Sequence, residues 1–230
     1  ESAWYMKTGN GFPPPLYSSF KILWYKDNMS EVYRKTAKFI GTKDYINYKL
    51  TGVLATDYSY ASGSGVYNLQ EWKYDEELIA AFDIDREKLP EITPSTEVLG
   101  KIKTESAALL GLPKDVVVVC GGVDNACMAA GAGCIENGNA YTSLGTSSWI
   151  AVSTESPIVD VQKRPYVFTH LVPKMFVSAT AIFSAGNSFR WVRDTLCKNI
   201  LEAEARGEGD SWHLMDKLAQ LSPIGANNLM

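Results

Sequence analysis

Apolar side chains recur at helical intervals through Ser18-Ser19-Phe20-Lys21-Ile22-Leu23-Trp24, behind a loop that holds Pro13-Pro14-Pro15, and predict a short helix over 18–27. Ser30 is placed to cap a second helix, with Glu31 where the helix dipole favours negative charge and Gly41 as its end. From Lys43 to Leu50 the spacing of Tyr45, Ile46 and Leu50 predicts an amphipathic helix stopped by Thr51-Gly52. Residues 70–83 read as helical, Pro90 and Pro94 mark an irregular crossing, and Thr104 opens a helix through Leu110 that Gly111 terminates. The run Val116-Val117-Val118-Val119-Cys120 suits an interior strand covered on both faces. It leads into Gly121-Gly122-Val123-Asp124-Asn125-Ala126, a strand-to-helix turn with Asp124 near the helix start. Two strands, 140–144 and 148–153, meet through Gly145-Thr146-Ser147 as a tight hairpin, and further strands are expected at 166–171 and 175–183. Ala185-Gly186-Asn187-Ser188 then opens a helix carrying Phe189, Trp191, Val192 and Leu196. Alternating strands and helices predict an α/β architecture.

Composition narrows the function. With 230 residues, 46% hydrophobic and 21% charged, the chain can bury a large core or two small ones, so disorder is excluded. Lys and Arg number 22 against 26 Asp and Glu, a net charge of −4 that leaves no basic excess for a nucleic acid backbone. No apolar run approaches the ~20 residues that cross a bilayer, and the start Glu1-Ser2-Ala3-Trp4 has no leader-like basic and apolar regions. Four cysteines are too few for a disulfide scaffold, and the seven-residue spacing of Cys120, Cys127 and Cys134 is not that of a zinc site, so buried thiols in a reducing cytoplasm fit best. Trp24, Trp72 and Trp191 are expected to pack in the core.

Chemistry concentrates at three glycine turns, at Gly121-Gly122 with Asp124, at Gly145-Thr146-Ser147 and at Ala185-Gly186-Asn187. Backbone N–H groups approach an anion closely where side chains are absent, and the Thr146 and Ser147 hydroxyls add donors, so the three together suggest a phosphate-binding cleft. Taken singly, a glycine hairpin is usually only a hairpin, and Asp124 by itself reads first as a helix cap. No Walker loop, dinucleotide fingerprint or serine-hydrolase elbow is present, and neither His170 nor His213 lies in a motif that would pair with a thiol nucleophile.

In this order, Gly121-Gly122-Val123-Asp124-Asn125-Ala126, Ser143-Leu144-Gly145-Thr146-Ser147 and Ala185-Gly186-Asn187-Ser188-Phe189-Arg190-Trp191 resemble the central part of the FGGY carbohydrate kinases, most of all the xylulokinases. Upstream, Lys21-Ile22-Leu23-Trp24, Lys43-Asp44-Tyr45, Leu50-Thr51-Gly52, Thr56-Asp57-Tyr58-Ser59 and Ala61-Ser62 extend the resemblance over nearly the whole chain.

The resemblance implies an incomplete actin-like, ribonuclease H-like ATPase fold. Residues 1–138 would be the later part of a sugar-binding domain and 139–230 the start of a nucleotide-binding one. It implies ATP and Mg2+ as cofactors and an open-chain sugar as substrate. Asp124 would be the general base and sugar contact, Asn125 a second sugar contact, and Gly145, Thr146, Ser147, Gly186 and Arg190 the nucleotide contacts. A helix N-terminus favours a carboxylate at Asp124, which suits it to orient a hydroxyl and take its proton. D-xylulose is the expected substrate; ribulose, L-xylulose, gluconate or a polyol is the alternative, and a non-catalytic module is the rival from another class. Glycerol is disfavoured, because Leu16 stands where glycerol kinases place a tyrosine that hydrogen-bonds substrate. The family's opening Asp-x-Gly-Thr phosphate loop and its adenine-binding segment are expected outside these residues, so the 230 residues are expected to be inactive alone. A homodimer stays open as a further partner.

Overall fold

A computed structural model describes residues 1–11 and 13–228. The chain opens with a helix that its N-terminal sequence did not announce, α1 (Ser2–Thr8). After a 3-10 turn at Pro14–Leu16 come α2 (Ser18–Asn28), within one residue of its expected end, and α3 (Ser30–Lys35). The sequence reading of α3 needs two corrections. Ser30 is its first residue and not a side-chain cap, and it ends at Thr36, whose N–H reaches Val32 and Tyr33 carbonyls, five residues before Gly41. Gly41 instead precedes α4 (Thr42–Thr51), where Asp44 Oδ2 accepts its N–H at 3.1 Å, and Gly52 stops that helix in the left-handed region as expected.

The burial of α4 is the reverse of the expected pattern. Tyr45 and Ile46 are 52% and 55% exposed, whereas Asp44 and Asn47 are buried and Lys43 half-buried. A buried polar face needs partners for every charge it carries, and the partners lie on the next elements. β1 (Ala55–Asp57) runs directly into α5 (Tyr58–Ala61), with Asp57 as the cap that accepts the Ser59 and Tyr60 N–H groups. Where a single helix over 70–83 was expected there are β2 (Tyr67–Asn68), β3 (Lys73–Tyr74) and α6 (Glu76–Ala81). Trp72 at φ 55° breaks the helical path, and Asp75 starts α6 by accepting the Leu78 N–H.

β4 (Glu91–Thr93) pairs in parallel with β1, Thr56 lying opposite Ile92. β5 (Val98–Lys101) is followed by α7 (Thr104–Leu110), which ends at Gly111 as read from the sequence, and by β6 (Val117–Val119), antiparallel to β5. β6 is not the doubly covered strand its composition suggested. It pairs only with β5 among the described residues, and Val117 and Val119 are 56% and 47% exposed. An unbroken valine run reports β-propensity and leaves open which faces are covered.

α8 (Asp124–Gly131), β7 (Ala140–Leu144), β8 (Ser148–Thr154), β9 (Tyr166–Thr169) and β10 (Phe176–Ile182) follow close to their expected spans. The four strands form one sheet in the order β7-β8-β10-β9, with Val177 opposite Phe168. Val66, Tyr67, Leu69, Val167 and Phe176, joined by Ile22 and Ile79, make the main core. Trp72 packs against it, its ring 5.3 Å from that of Phe176, but Trp24 and Trp191 are exposed and do not fill the core as expected. The two sit on helix faces where an aromatic ring alone cannot show which side is inward. Cys120 and Cys134 are buried as free thiols, whereas Cys127 is exposed on α8.

The chain divides into two compact units. The larger holds Glu1–Tyr141 with Ile150–Thr180; the smaller holds the hairpin segment Thr142–Trp149 and the chain from Ala181 onward. In the smaller unit α9 (Gly186–Leu196), α10 (Lys198–Ala205) and α11 (Ser211–Ala219) pack on one another. Asp210 caps α11, Phe189 and Trp212 stack 5.6 Å apart, and the Arg193 guanidinium lies 4.2 Å over the Trp212 ring.

Candidate active site

Asp124 is the first residue of α8, and the cap position belongs to Val123. Its carboxylate does not cap the helix, as Asp124 taken by itself was expected to; Oδ1 accepts the neighbouring Asn125 N–H at 2.8 Å and the side chain is exposed. Beside it, Asn125 Oδ1 is buried without a protein donor, while its backbone carbonyl accepts the Tyr141 hydroxyl at 3.2 Å. A buried acceptor left unpaired is costly and marks a position to explain by function. Tyr60 lies within electrostatic reach: burial first, then the Asp44 and Asp124 charges, push its hydroxyl above the usual tyrosine range, with Lys43 opposing.

The turn that delivers Asp124 is held from below by groups the sequence reading did not assign. Asn47 Nδ2 donates to the Cys120 carbonyl at 2.7 Å, Gly121 N–H donates to Ser95 O at 2.8 Å, and Val123 N–H donates to Ser59 Oγ at 2.9 Å. The Leu171 side chain lies against Gly122, where a Cβ would fall 2.0 Å from Leu171 Cδ2 unless that side chain moved. Below these lies a buried ionic cluster. Lys43 Nζ is 2.6 Å from Asp44 Oδ1 and 3.0 Å from Asp57 Oδ1, both carboxylates being wholly buried. Burial pulls the Lys43 ammonium down, but Asp57 and Asp44 outweigh it and the net shift is upward. Removing one partner from such a buried pair costs about 3–5 kcal/mol. The sequence singled out Lys43-Asp44-Tyr45 and Thr56-Asp57-Tyr58-Ser59 only as segments that carry the resemblance, with no role for them in holding this loop.

In the smaller unit, Gly145, Thr146 and Ser147 form the exposed bend between β7 and β8. The structure brings Gly186 against this bend: Gly186 N–H donates to Gly145 O at 2.9 Å, and the Ala185 and Asn187 N–H groups donate to Thr146 O at 2.8 and 3.1 Å. A Cβ at Gly186 would lie 2.5 Å from Gly145 O, so only glycine permits this approach. The Ala185, Gly186 and Asn187 amides thus serve to hold the bend, which presents the exposed Thr146 and Ser147 hydroxyls, donors that suit phosphate oxygens. Arg190 lies one turn along α9 and is exposed. Among the described residues, no three His, Cys, Asp or Glu side chains converge as a metal cage, and no helix is long and apolar enough to cross a membrane.

Residues 1–131 match the model of the N-terminal domain of the FGGY family of carbohydrate kinases. The chain belongs to this family. Among relatives, a xylulose kinase of Lactococcus lactis is 36% identical over 180 residues, 78% of this chain and 36% of its own length. Among solved structures, a ligand-bound xylulose kinase and a gluconate kinase, both of Lactobacillus acidophilus, superpose with TM-scores of 0.86 and 0.87 at 30% identity, each over 99% of this chain and 44% of its own. This FGGY chain therefore spans less than half the length of the relatives it matches, and its mixed helices and sheets are part of their actin-like α/β architecture.

Proposed function

We propose that the full-length protein phosphorylates a ketopentose, D-xylulose before others, at the expense of ATP. The observation that carries the reading is an exposed, non-capping Asp124 carboxylate at a helix start beside the unpaired Asn125 Oδ1, in a chain of the FGGY family. In this reading residues 1–138 serve the sugar and the chain from 139 begins the nucleotide domain. Asp124 orients the sugar hydroxyl and takes its proton as that oxygen forms the new bond to phosphorus, and ADP leaves with the bridging oxygen. Asn125 holds a neighbouring sugar hydroxyl through its amide. The Gly145-Thr146-Ser147 bend meets nucleotide phosphates through the Thr146 and Ser147 hydroxyls, Gly186 holds the bend in place through its N–H, and Arg190 adds positive charge. Mg2+, when bound, would neutralise phosphate charge.

Gluconate is the second substrate to weigh, because the gluconate kinase structure superposes as well as the xylulose kinase does. A panel of D-xylulose, L-xylulose, ribulose, gluconate and glycerol with ATP and the full-length protein separates these readings. In the same assay Asp124→Ala is expected to lower kcat by ~10²- to 10⁴-fold on the preferred sugar. A variant that keeps most of its turnover removes Asp124 from the mechanism.

A further inference from the structure

The loop that ends at Asp124 hangs on one hydroxyl whose orientation is dictated by a buried charge. Ser59 Oγ has a single proton, and it goes to Asp57 Oδ2, which also accepts the Ser59 N–H at 3.0 Å and the Ser95 hydroxyl at 2.7 Å. With that proton committed, only lone pairs of Ser59 Oγ remain to face outward, and they meet the Val123 N–H at 2.9 Å. Asp57 is itself fixed from its other oxygen, by Lys43 Nζ at 3.0 Å and the Tyr60 N–H at 3.3 Å. Asp57, Ser59 and Ser95 are buried, which strengthens the bonds among them, while Lys43, Tyr60 and Val123 are half-buried.

We propose that Ser59, oriented by Asp57, is a positioning residue for Asp124: it fixes the Val123 N–H and thereby the backbone from which the Asp124 carboxylate projects. The proposal rests on Asp124 being the base, but its structural half can be tested apart from that reading. The loop is also held upstream by Asn47 on the Cys120 carbonyl, Glu97 O on the Cys120 N–H and Ser95 O on the Gly121 N–H, and from α8 itself by Cys127, whose thiol reaches the Gly122 carbonyl at 3.5 Å and whose N–H donates to the Val123 carbonyl at 2.9 Å. Among the described residues Ser59 is therefore the last side chain that holds the loop before α8 begins. A 1 Å error in placing a reacting group can cost ~10²-fold in rate, which gives this bond leverage on turnover that it lacks over substrate binding.

The test uses the full-length protein with Ser59→Ala and Ser59→Thr. Amide hydrogen exchange at Val123 is expected to quicken about five- to tenfold in Ser59→Ala, the loss of one hydrogen bond, with exchange in β9 and β10 unchanged. In the same variant kcat on the preferred sugar is expected to fall by ~10- to 10²-fold while the sugar KM moves less than about threefold. Ser59→Thr keeps the hydroxyl and is expected to restore both. Wild-type exchange at Val123 in Ser59→Ala overturns the proposal, as does faster exchange with kcat unchanged. Should Ser59→Ala not fold, Ser95→Ala removes one hydroxyl from Asp57 without touching Val123; a smaller rise in Val123 exchange supports the proposal, and wild-type exchange overturns it. If Asp124→Ala retains turnover while Val123 exchange responds to Ser59, the assignment of the base has failed and the positioning contact stands.

Discussion

Two glycines of this chain carry opposite expectations for the same substitution. At Gly131, the last residue of α8, an added Cβ meets nothing within 4 Å, and Gly131→Ala is expected to stabilise by about 0.5–1 kcal/mol through the chain entropy it removes. At Gly186 the same methyl lands 2.5 Å from the backbone oxygen of Gly145, which cannot swing aside as a side chain would. Gly186→Ala is expected to destabilise the smaller unit by about 1–3 kcal/mol. Exchange of the Ala185 and Asn187 amides, both bonded to Thr146 O, reads the second effect, and denaturation of the larger unit reads the first. Gly186 was legible in the sequence as part of a glycine-hydroxyl turn opening a helix. Its contact with Gly145 was not, because some forty residues separate them and no local pattern encodes their approach.

Glycine stops were readable at α4 and α7, which end at or within a residue of their expected limits, and the β7-β8 bend falls on Gly145-Thr146-Ser147, whereas Gly41 misplaced the end of α3. Which face an element buries was less readable. α4 turns Asp44 and Asn47 inward because Asp57 and the Cys120 carbonyl supply partners there, and amphipathic spacing alone points the other way. Between β9 and β10 the reading had no role for His170, which is buried, with Nδ1 accepting the Val172 N–H at 2.8 Å and Nε2 on the Cys134 carbonyl at 3.0 Å. That pattern places the proton on Nε2 and leaves Nδ1 bare. Burial pulls the imidazole below its usual 6.5, and the Cys134 contact opposes this only in part. The unfolded chain therefore takes up the proton first, so the stability due to neutral His170 is complete above 6.5 and is lost as pH falls below it. Urea denaturation between pH 7.5 and pH 5.5 is expected to show a falling midpoint that is flatter in His170→Gln; parallel slopes would remove this residue from the acid sensitivity.

For the molecule as a whole, much of the larger unit is organised around one buried core, while the polar network beneath Asp124 spends buried charge on placing a single loop. A well-packed apolar cluster of similar volume would often be as stable or more so, and under the proposed function what offsets that cost is a fixed position for the base. A different cost attaches to β6. It offers one edge without a strand partner among the described residues and turns Val117 and Val119 toward solvent, beside the exposed Val98. Such an edge is a template onto which another chain can zip. Light scattering from the 230-residue chain is expected to rise with concentration, and Val119→Lys to suppress the rise with less than ~0.5 kcal/mol change in stability. The same valines that read as interior wall would then act, in dilute solution, as adhesive.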